Sequence, residues 1–308
     1  MTILVTGASG FVGSQVLSYL NACNRHEVIG CSRSGEHGLR VSPELSEGAD
    51  WSELLSNVEV VVHVAGLAHD PSASFGAYQR VNVRGTLALA EQAVEAGVKR
   101  FIFISSIGVN GHKTTGDAFT ERDTPNPGND YARSKWQAEQ ALRDFAATSG
   151  LEVVMIRPPL VYGPQAPGNF GMLTRIVGKS LPLPLAGIDN RRSFVSVWNL
   201  ADLIRCCIDH PEAPGQVFLV SDGEDVSTSD LLSKLGEASG RPVRLFRVPA
   251  WSLRLPATLL GKRGIYDRLF DSLRVDSRYA QTRLEWRPPL GLDEGLRRCF
   301  SSKDKAGQ

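Results

Sequence analysis

The chain of 308 residues has no excess of charge of either sign and no long apolar segment. Its 34 Lys and Arg residues balance 33 Asp and Glu residues, which leaves a formal net charge of +1. Proteins that bind nucleic acids or anionic membranes carry a basic excess instead. No apolar run approaches the roughly 18–20 residues of a membrane-spanning helix, and no secretory signal is visible. We expect a cytoplasmic protein with neither a nucleic acid nor a membrane as its partner.

Cysteine is also scarce, since the chain has five cysteines and no Cys-x-x-Cys pair. Disulfide frameworks use an even number of cysteines, and zinc sites use closely paired ones. We therefore expect inert thiols and no bound metal.

The first 160 residues alternate short apolar segments with amphipathic ones. Strands are predicted at 2–5, 27–31, 58–64, 100–105 and 151–156, and helices near 11–21, 51–56, 74–96 and 130–149. After Gly163-Pro164 the pattern becomes irregular; strands are predicted at 193–197, 216–220 and 243–248, and a helix at 200–209. Strands that are apolar on both faces and alternate with helices indicate a parallel sheet covered on both sides.

This alternation predicts an α/β protein, with a doubly wound parallel Rossmann sheet and a smaller, discontinuous α/β substrate lobe. The dinucleotide-binding domain is expected to span 1–164, with 193–220 returning to it. The substrate lobe is expected to comprise 165–192 and 221–302, and 303–308 form a polar tail. Ligands of such sheets bind at the carboxyl ends of the strands.

Three glycines, Gly7, Gly10 and Gly13, follow the first predicted strand and open a helix. Glycines allow the backbone to turn tightly and to approach a pyrophosphate without a clash at Cβ. The helix that begins at Phe11 and Val12 offers unpaired N–H groups and a positive dipole end to the anion. The pattern predicts a site for a dinucleotide pyrophosphate.

Other small or polar residues are predicted to complete the cofactor site. Ala65 and Gly66 end a strand where the cofactor would lie against the chain, and Asn82 either contacts it or positions the strand-end loops. We also expect Ser105 and Pro158 to contact the cofactor.

The second strand has no carboxylate at its end, which reads Gly30-Cys31-Ser32-Arg33-Ser34. Enzymes that prefer NAD usually carry an acidic residue there for the ribose hydroxyls. Ser32 and Arg33 could instead bind a 2′-phosphate, although Arg33 could also be a solvated loop charge. The sequence favours NADP(H) and leaves NAD possible.

Tyr131 and Lys135 are four residues apart on a predicted helix and so share one face. Ala138, Leu142 and Phe145 continue this face, which indicates that it lies toward the sheet. A tyrosine with a pKa near 10 transfers protons poorly at neutral pH, but a nearby ammonium and an oxidised nicotinamide lower that pKa. Ser106 would donate a hydrogen bond to the substrate oxygen. These three residues are the predicted catalytic group, and Tyr131 and Lys135 also contact the cofactor.

The chain resembles an extended short-chain dehydrogenase/reductase of the NAD-dependent epimerase/dehydratase family, in the branch of nucleotide-sugar 4-epimerases and 4-keto reductases. The resemblance covers nearly the whole chain. It is carried by Thr6-Gly7-x-x-Gly10-x-x-Gly13, His63-Val64-Ala65-Gly66, Val81-Asn82-Val83-x-Gly85-Thr86, Ser105-Ser106, Tyr131-x-x-x-Lys135, Arg157-Pro158-Pro159, Tyr162-Gly163-Pro164, Arg191-Arg192-Ser193-Phe194-Val195, Asn199-Leu200-Ala201-Asp202, Leu284-x-Trp286-x-Pro288-Pro289 and Glu294-Gly295-Leu296. It implies the catalytic roles of Ser106, Tyr131 and Lys135 and a homodimer. It also implies that Asn169, Arg192 and Arg274 bind the diphosphate of a nucleotide-sugar substrate.

Two departures from the family pattern narrow the expected reaction. Sugar-nucleotide 4,6-dehydratases carry an Asp-Glu pair after the catalytic Ser or Thr, where this chain has Ile107-Gly108. Epimerases of the UDP-galactose type usually keep an acidic end on strand two and an Asn where Leu160 stands. We expect a 4-keto-sugar reductase for surface-polysaccharide precursors, with a UDP-hexose 4-epimerase as the alternative. A ketone reductase for non-sugar substrates and a dinucleotide-binding module without catalysis are further alternatives.

Overall fold

The computed structural model describes residues 1–68, 72–249, 252, 254, 258–259 and 263–301. The predicted polar tail at 303–308 lies outside these residues, as does residue 302 of the predicted lobe.

The strands predicted from the sequence occur in the predicted order, and the structure adds four short strands. The strands are β1 (Thr2–Thr6), β2 (Glu27–Ser32), β3 (Arg40–Val41), β4 (Val60–His63), β5 (Arg100–Ile104), β6 (Glu152–Arg157), β7 (Leu160–Tyr162), β8 (Leu183–Ala186), β9 (Arg192–Ser196), β10 (Val217–Leu219), β11 (Asp225–Val226) and β12 (Leu245–Arg247). The four that were not predicted are β3, β7, β8 and β11. The helices are α1 (Phe11–Cys23), α2 (Ser52–Leu55), α3 (Phe75–Tyr78), α4 (Thr86–Glu95), α5 (Asp130–Ser149), α6 (Gly168–Gly178), α7 (Val197–Asp209), α8 (Thr228–Ala238), α9 (Arg263–Phe270), α10 (Arg278–Arg283) and α11 (Leu292–Arg298).

A seven-stranded parallel sheet forms the centre of the protein, in the order β10-β6-β5-β4-β1-β2-β3. One face packs against Val16 of α1 and Leu203 of α7, and the other against Leu89 of α4 and Leu142 of α5. Because all strands run the same way, their carboxyl ends meet at one edge, which we call the carboxyl edge. The predicted doubly wound Rossmann sheet is confirmed.

The second half of the chain adds two small sheets, β11-β9-β7 and β12-β8. They enclose a separate core that includes Tyr162, Phe170, Phe194, Leu231 and Leu296. β10 joins β6 in the large sheet, whereas β9 pairs with β7 and β11. The division into a dinucleotide-binding domain and a substrate lobe stays a prediction.

The helix predicted at 74–96 is not continuous. It consists of α3, a π-helical segment at Gln79–Gly85 and α4. Within the π-helical segment, the side chain of Asn82 is buried and hydrogen-bonded to neighbouring elements. A Cβ on Gly85 would lie 2.8 Å from the carbonyl carbon of Leu45, so the backbone of this segment packs closely against the loop between β3 and α2. Tertiary contacts therefore override the regular helical period here.

The helices in the described ranges include none that is both long enough and apolar enough to cross a lipid bilayer.

Candidate functional site

The glycine loop between β1 and α1 is shaped by close backbone contacts. Gly7 adopts φ +68°, and a Cβ there would lie 2.8 Å from the Cα of Ala65. A Cβ on Gly13 would overlap the carbonyl oxygen of Gly7, so α1 can approach the loop only with glycine at this position. Gly10 is the N-cap of α1 and provides no side-chain cap. The first N–H groups of α1, at Phe11 and Val12, thus lack a capping side chain and suit the oxygens of a pyrophosphate.

Asn82 connects two elements that border the carboxyl edge. Its Nδ2 donates to the carbonyl of Leu67 and to Oγ of Ser134, both at 3.0 Å, and its Oδ1 accepts from Leu67 N at 2.7 Å. A Cβ on Gly66 would lie 3.0 Å from Asn82 Oδ1. These bonds hold the loop that contains Ala65 and Gly66 against α5. They match the alternative in which Asn82 positions strand-end loops, while its direct contact with a cofactor stays a prediction.

The end of β2 carries a buried hydroxyl and an exposed guanidinium. Ser32 is buried, and its Oγ accepts from the backbone N–H of Gly35 at 3.2 Å. Arg33 is exposed in the following loop. The end of β2 thus carries a hydroxyl and an exposed guanidinium, and the contact of either group with a phosphate stays a prediction.

Ser106 and Tyr131 lie on segments that touch each other. Ser106 is the N-cap of a 3₁₀ helix at Ile107–Val109, and its Oγ accepts from Gly108 N at 3.1 Å. Tyr131 lies in the first turn of α5, which is capped by Asn129 through a 2.9 Å bond from Ala132 N. A Cβ on Gly108 would lie 3.1 Å from the Cβ of Ala132, beside Tyr131. The fold thus brings together residues that are 25 positions apart in the sequence.

Lys135 is buried beneath the same edge, with 4% of its surface exposed. Its Nζ donates to the carbonyl of Ile104 at 2.8 Å and lies 4.5 Å from the ring centroid of Phe103. Burial lowers the pKa of Lys135 to about 8, and the negative charge of Glu139 opposes that shift. The amine is therefore held at the end of β5, next to Ser105 and Ser106.

The phenol of Tyr131 has a raised pKa. Burial and the neighbouring Tyr78, whose ring centroid lies 6.2 Å away, raise it to about 12. Tyr131 is thus protonated at neutral pH, and additional positive charge is needed to favour its phenolate. A bound oxidised nicotinamide would supply such a charge.

Two other predicted cofactor residues lie at the same edge with their polar groups bound to the protein. Ser105 is buried and donates through Oγ to Glu139 Oε1 at 2.5 Å. Pro158 follows β6 and accepts from Ile107 N at 3.0 Å through its carbonyl oxygen. Both help to fix the backbone on either side of Ser106.

A buried polar network below this edge was missed by the sequence analysis. Glu139 binds Ser105 and Arg157, and Arg157 NH1 donates to Asn110 Oδ1 at 2.9 Å. The only signal in the sequence is that Glu139 follows Lys135 by four residues and so lies on the same side of α5. Its partners come from distant segments that the spacing does not reveal.

His63, at the end of β4, is also buried in this region. Its Nδ1 lies 2.8 Å from Thr6 Oγ1 and its Nε2 lies 3.0 Å from Thr86 Oγ1. Burial and the charge of Lys135 lower the pKa of His63 to about 3, so it is neutral at physiological pH. His63 therefore connects β1, β4 and α4 as a structural residue.

Two of the three predicted substrate residues, Asn169 and Arg192, line one pocket. Its lining residues are Leu160, Asn169, Met172, Leu173, Arg192, Phe194, Thr228, Leu231 and Leu269. Arg192 NH1 donates to the carbonyl of Asp271 at 2.9 Å. We call this cavity the apolar pocket, since most of its lining is hydrophobic.

Arg274 is not among the lining residues of the apolar pocket. Its Nε donates to Asp225 Oδ2 at 3.0 Å, on a strand that pairs with β9. The structure therefore brings Asn169 and Arg192 together and leaves Arg274 in an ion pair beside them.

A sequence profile of the NAD dependent epimerase/dehydratase family matches residues 3–221 of the chain. The protein belongs to this family. As a member, it is an enzyme, and its cofactor is a nicotinamide dinucleotide.

Individual relatives are similar over nearly the full length. The enzyme is 44% identical over 306 residues to a UDP-glucose 4-epimerase of Vibrio cholerae, covering 96% of this chain and 93% of the relative. It is 26% identical to a GDP-6-deoxy-D-mannose reductase of Pseudomonas aeruginosa, covering 97% of this chain and 96% of the relative. The crystal structure of a UDP-glucuronic acid 4-epimerase from Bacillus cereus with NAD matches with a TM-score of 0.79, 24% identity, and 97% and 96% of the two chains covered. At this low identity, the match to the Bacillus cereus structure shows a shared fold only.

Proposed function

We propose that the enzyme transfers a hydride between its nicotinamide cofactor and C4 of a nucleotide-activated hexose. The arrangement of Ser106, Tyr131 and Lys135 at the carboxyl edge, next to the glycine loop, supports this proposal. The apolar pocket, with Asn169 and Arg192 in its wall, provides a site for the nucleotide part of the substrate.

The three side chains have separate roles in reduction of a 4-keto sugar. Ser106 donates a hydrogen bond to the C4 carbonyl oxygen and orients it. When C4 receives the hydride, the phenol of Tyr131 gives its proton to that oxygen, which becomes the hydroxyl. The ammonium of Lys135 stabilises the phenolate that remains, and solvent then restores the proton. The bound dinucleotide supplies the hydride. Oxidation at C4 follows the same steps in reverse.

For the net reaction we propose a 4-keto-sugar reductase that uses NADPH. The support is the end of β2, where Ser32 and Arg33 stand in place of a carboxylate. A guanidinium and a hydroxyl suit a 2′-phosphate. A reductase must exchange its oxidised cofactor after every turnover, which a readily exchanged NADPH allows.

The second candidate is a UDP-hexose 4-epimerase, and the 44% identity to the Vibrio cholerae epimerase supports it. An epimerase performs the same half-reaction twice and returns the hydride to the other face of C4. The three side chains serve both reactions equally. The same relative favours UDP as the nucleotide, and a homodimer remains part of the proposal.

Two incubations of the purified enzyme, one with UDP-4-keto sugars and NADPH and one with UDP-hexoses, distinguish the two reactions. For a reductase, we expect nicotinamide absorbance to fall in proportion to alcohol formed. For an epimerase, UDP-glucose should become UDP-galactose, or UDP-GlcNAc its 4-epimer, without net change in absorbance. If neither reaction occurs with UDP- or dTDP-linked sugars, hydride transfer at C4 of a nucleotide sugar is contradicted.

A further inference from the structure

A fully buried ion pair lies below the hydride-transfer site and is not part of the chemistry described so far. Glu139 is 0% exposed and Arg157 2% exposed. Arg157 donates to Glu139 through Nε to Oε1 at 2.9 Å and through NH2 to Oε2 at 2.5 Å. Ser105 Oγ is a third donor to the same carboxylate, at 2.5 Å. Two oxygens that accept three bonds fix the orientation of the Glu139 side chain.

The positions of these residues connect the pair to the catalytic group. Glu139 follows Lys135 by one helical turn and Tyr131 by about two turns on α5. Ser105 immediately precedes Ser106, and Arg157 immediately precedes Pro158. The carboxylate therefore accepts hydrogen bonds from Ser105, the chain neighbour of Ser106, and from Arg157, the chain neighbour of Pro158. Together with the bond from Lys135 to Ile104, they join α5 to the end of β5 at two points.

We propose that Glu139 is a positioning residue of the hydride-transfer site, which fixes α5 against the ends of β5 and β6 and presents a negative charge to Lys135. The proposal rests on the proposed roles of Tyr131 and Lys135. Glu139 does not touch substrate or cofactor and acts through Ser105, Arg157 and Lys135.

The charge of Glu139 also affects the pKa of Lys135. Glu139 is the charged group that raises the pKa of Lys135 against the effect of burial. His63, from β4, is neutral at physiological pH, and Tyr131, on α5, is protonated. Arg157, from β6, forms an ion pair with Glu139, which balances its charge. Removing the negative charge would leave Arg157 unbalanced, and both changes lower the pKa of Lys135.

The test compares Glu139→Gln with Glu152→Gln. Glu152 accepts from Arg100 Nε at 2.8 Å and joins the same two strands, β5 and β6, at their amino ends. The control therefore also removes one carboxylate charge from an Arg–Glu pair on these strands, but far from the carboxyl edge. Glu139→Asp is the third variant, because it keeps the charge and shortens the side chain.

In steady-state assays, we expect Glu139→Gln to lower kcat about 10- to 100-fold through misplacement of the reacting groups, with KM for the nucleotide sugar nearly unchanged. The alkaline limb of its pH–kcat profile should move to lower pH than in the wild type. Glu139→Asp should lower kcat while leaving that limb in place. Glu152→Gln should retain the wild-type kcat and limb.

A measurement without substrate separates this inference from the proposed function. The enzyme has eight lysines, so ε-¹³C-lysine NMR can follow Lys135 in titration, with the signal assigned by its loss in Lys135→Met. In Glu139→Gln, Lys135 should titrate at lower pH than in the wild type and in Glu152→Gln. If Lys135 titrates alike in all three, the charge role is overturned even when the enzyme turns over sugars. If Glu139→Gln fails to fold, a wild-type kcat in Glu139→Asp overturns the positioning role. If no sugar is turned over, the titration still decides the charge role.

Discussion

The carboxyl edge and the apolar pocket are built by different means. At the edge, polar side chains from β5 and α5 bind one another and the backbone through buried hydrogen bonds. The pocket collects mainly hydrophobic side chains from β7, α6, β9, α8 and α9 around Asn169 and Arg192. The edge therefore depends on the geometry of a parallel sheet, which many sequences share. The pocket depends on the identity of individual side chains. If it binds the substrate as proposed, substitutions in it would change substrate choice without changing the chemistry at the edge.

The largest expected effect is at the edge. Tyr131→Phe should lower kcat by about 10²- to 10⁴-fold, because it removes the hydroxyl that transfers the proton. Binding of the nucleotide sugar, measured by calorimetry, should stay close to wild type because the apolar pocket is intact. Full activity in this variant would contradict the assignment of Tyr131, and lost binding would show that edge and pocket are not separate.

A substitution in the apolar pocket should weaken substrate binding and leave the chemical step nearly unchanged. Arg192→Ala should raise KM for the nucleotide sugar about 10- to 100-fold, since the proposed charged hydrogen-bond donor to the diphosphate is lost, and kcat should change little. Arg191→Ala is the matched control, because Arg191 is exposed on the neighbouring position and does not line the pocket. Equal effects of the two variants in steady-state assays would remove Arg192 from the substrate site.

Low pH should destabilise the protein through His63, which is buried at the carboxyl edge. Its pKa falls from an ordinary 6.5 to about 3 on folding, so between these pH values the unfolded chain binds one more proton than the native protein. This proton difference lowers the free energy of unfolding as pH falls through that window, by at most about 1.4 kcal/mol per pH unit. In urea unfolding between pH 4 and 6.5, His63→Gln should therefore show a smaller loss of stability per pH unit. An unchanged slope would mean that His63 is not the group responsible.

The smallest expected effect concerns the cofactor. Arg33→Ala should raise KM for NADPH about 5- to 10-fold and leave KM for NADH nearly unchanged, because an exposed guanidinium contributes modestly to phosphate binding. Arg25→Ala is the control, since Arg25 is also exposed but precedes β2. Equal loss with both cofactors would contradict the proposed preference for NADP(H).

The parts of the site that the sequence predicts are those encoded within one short segment. Tyr131 and Lys135 share a helix face, and Gly7, Gly10 and Gly13 share one turn, so their spacing alone carries the geometry. The doubly wound sheet follows in the same way from the alternation of apolar segments. The two-residue strands β3 and β11 were not predicted, because two residues show no alternation.

Features that depend on distant segments could not be predicted. The spacing of Glu139 from Lys135 predicts its helix face but not its partners. Ser105 and Arg157 come within hydrogen-bond distance only through the pairing of β5 with β6. The ion pair of Arg274 with Asp225 depends equally on tertiary structure. The π-helical segment at Gln79–Gly85 interrupts a pattern that is typical of one long helix, because Asn82 and Gly85 satisfy contacts outside the helix.

The π-helical segment at Gln79–Gly85 determines the rotational register of α4, which follows it. A π-helical turn holds one residue more than an α-helical turn, so a deletion within 79–85 would let α3 and α4 fuse into one regular helix. Each residue of an α-helix advances by about 100° around the axis, and the amide of Asn82 would then swing away from Leu67 and Ser134. The extra residue thus sets the rotation of α4 relative to Asn82. Leu89 of α4 can then pack against the sheet while the amide of Asn82 binds Leu67.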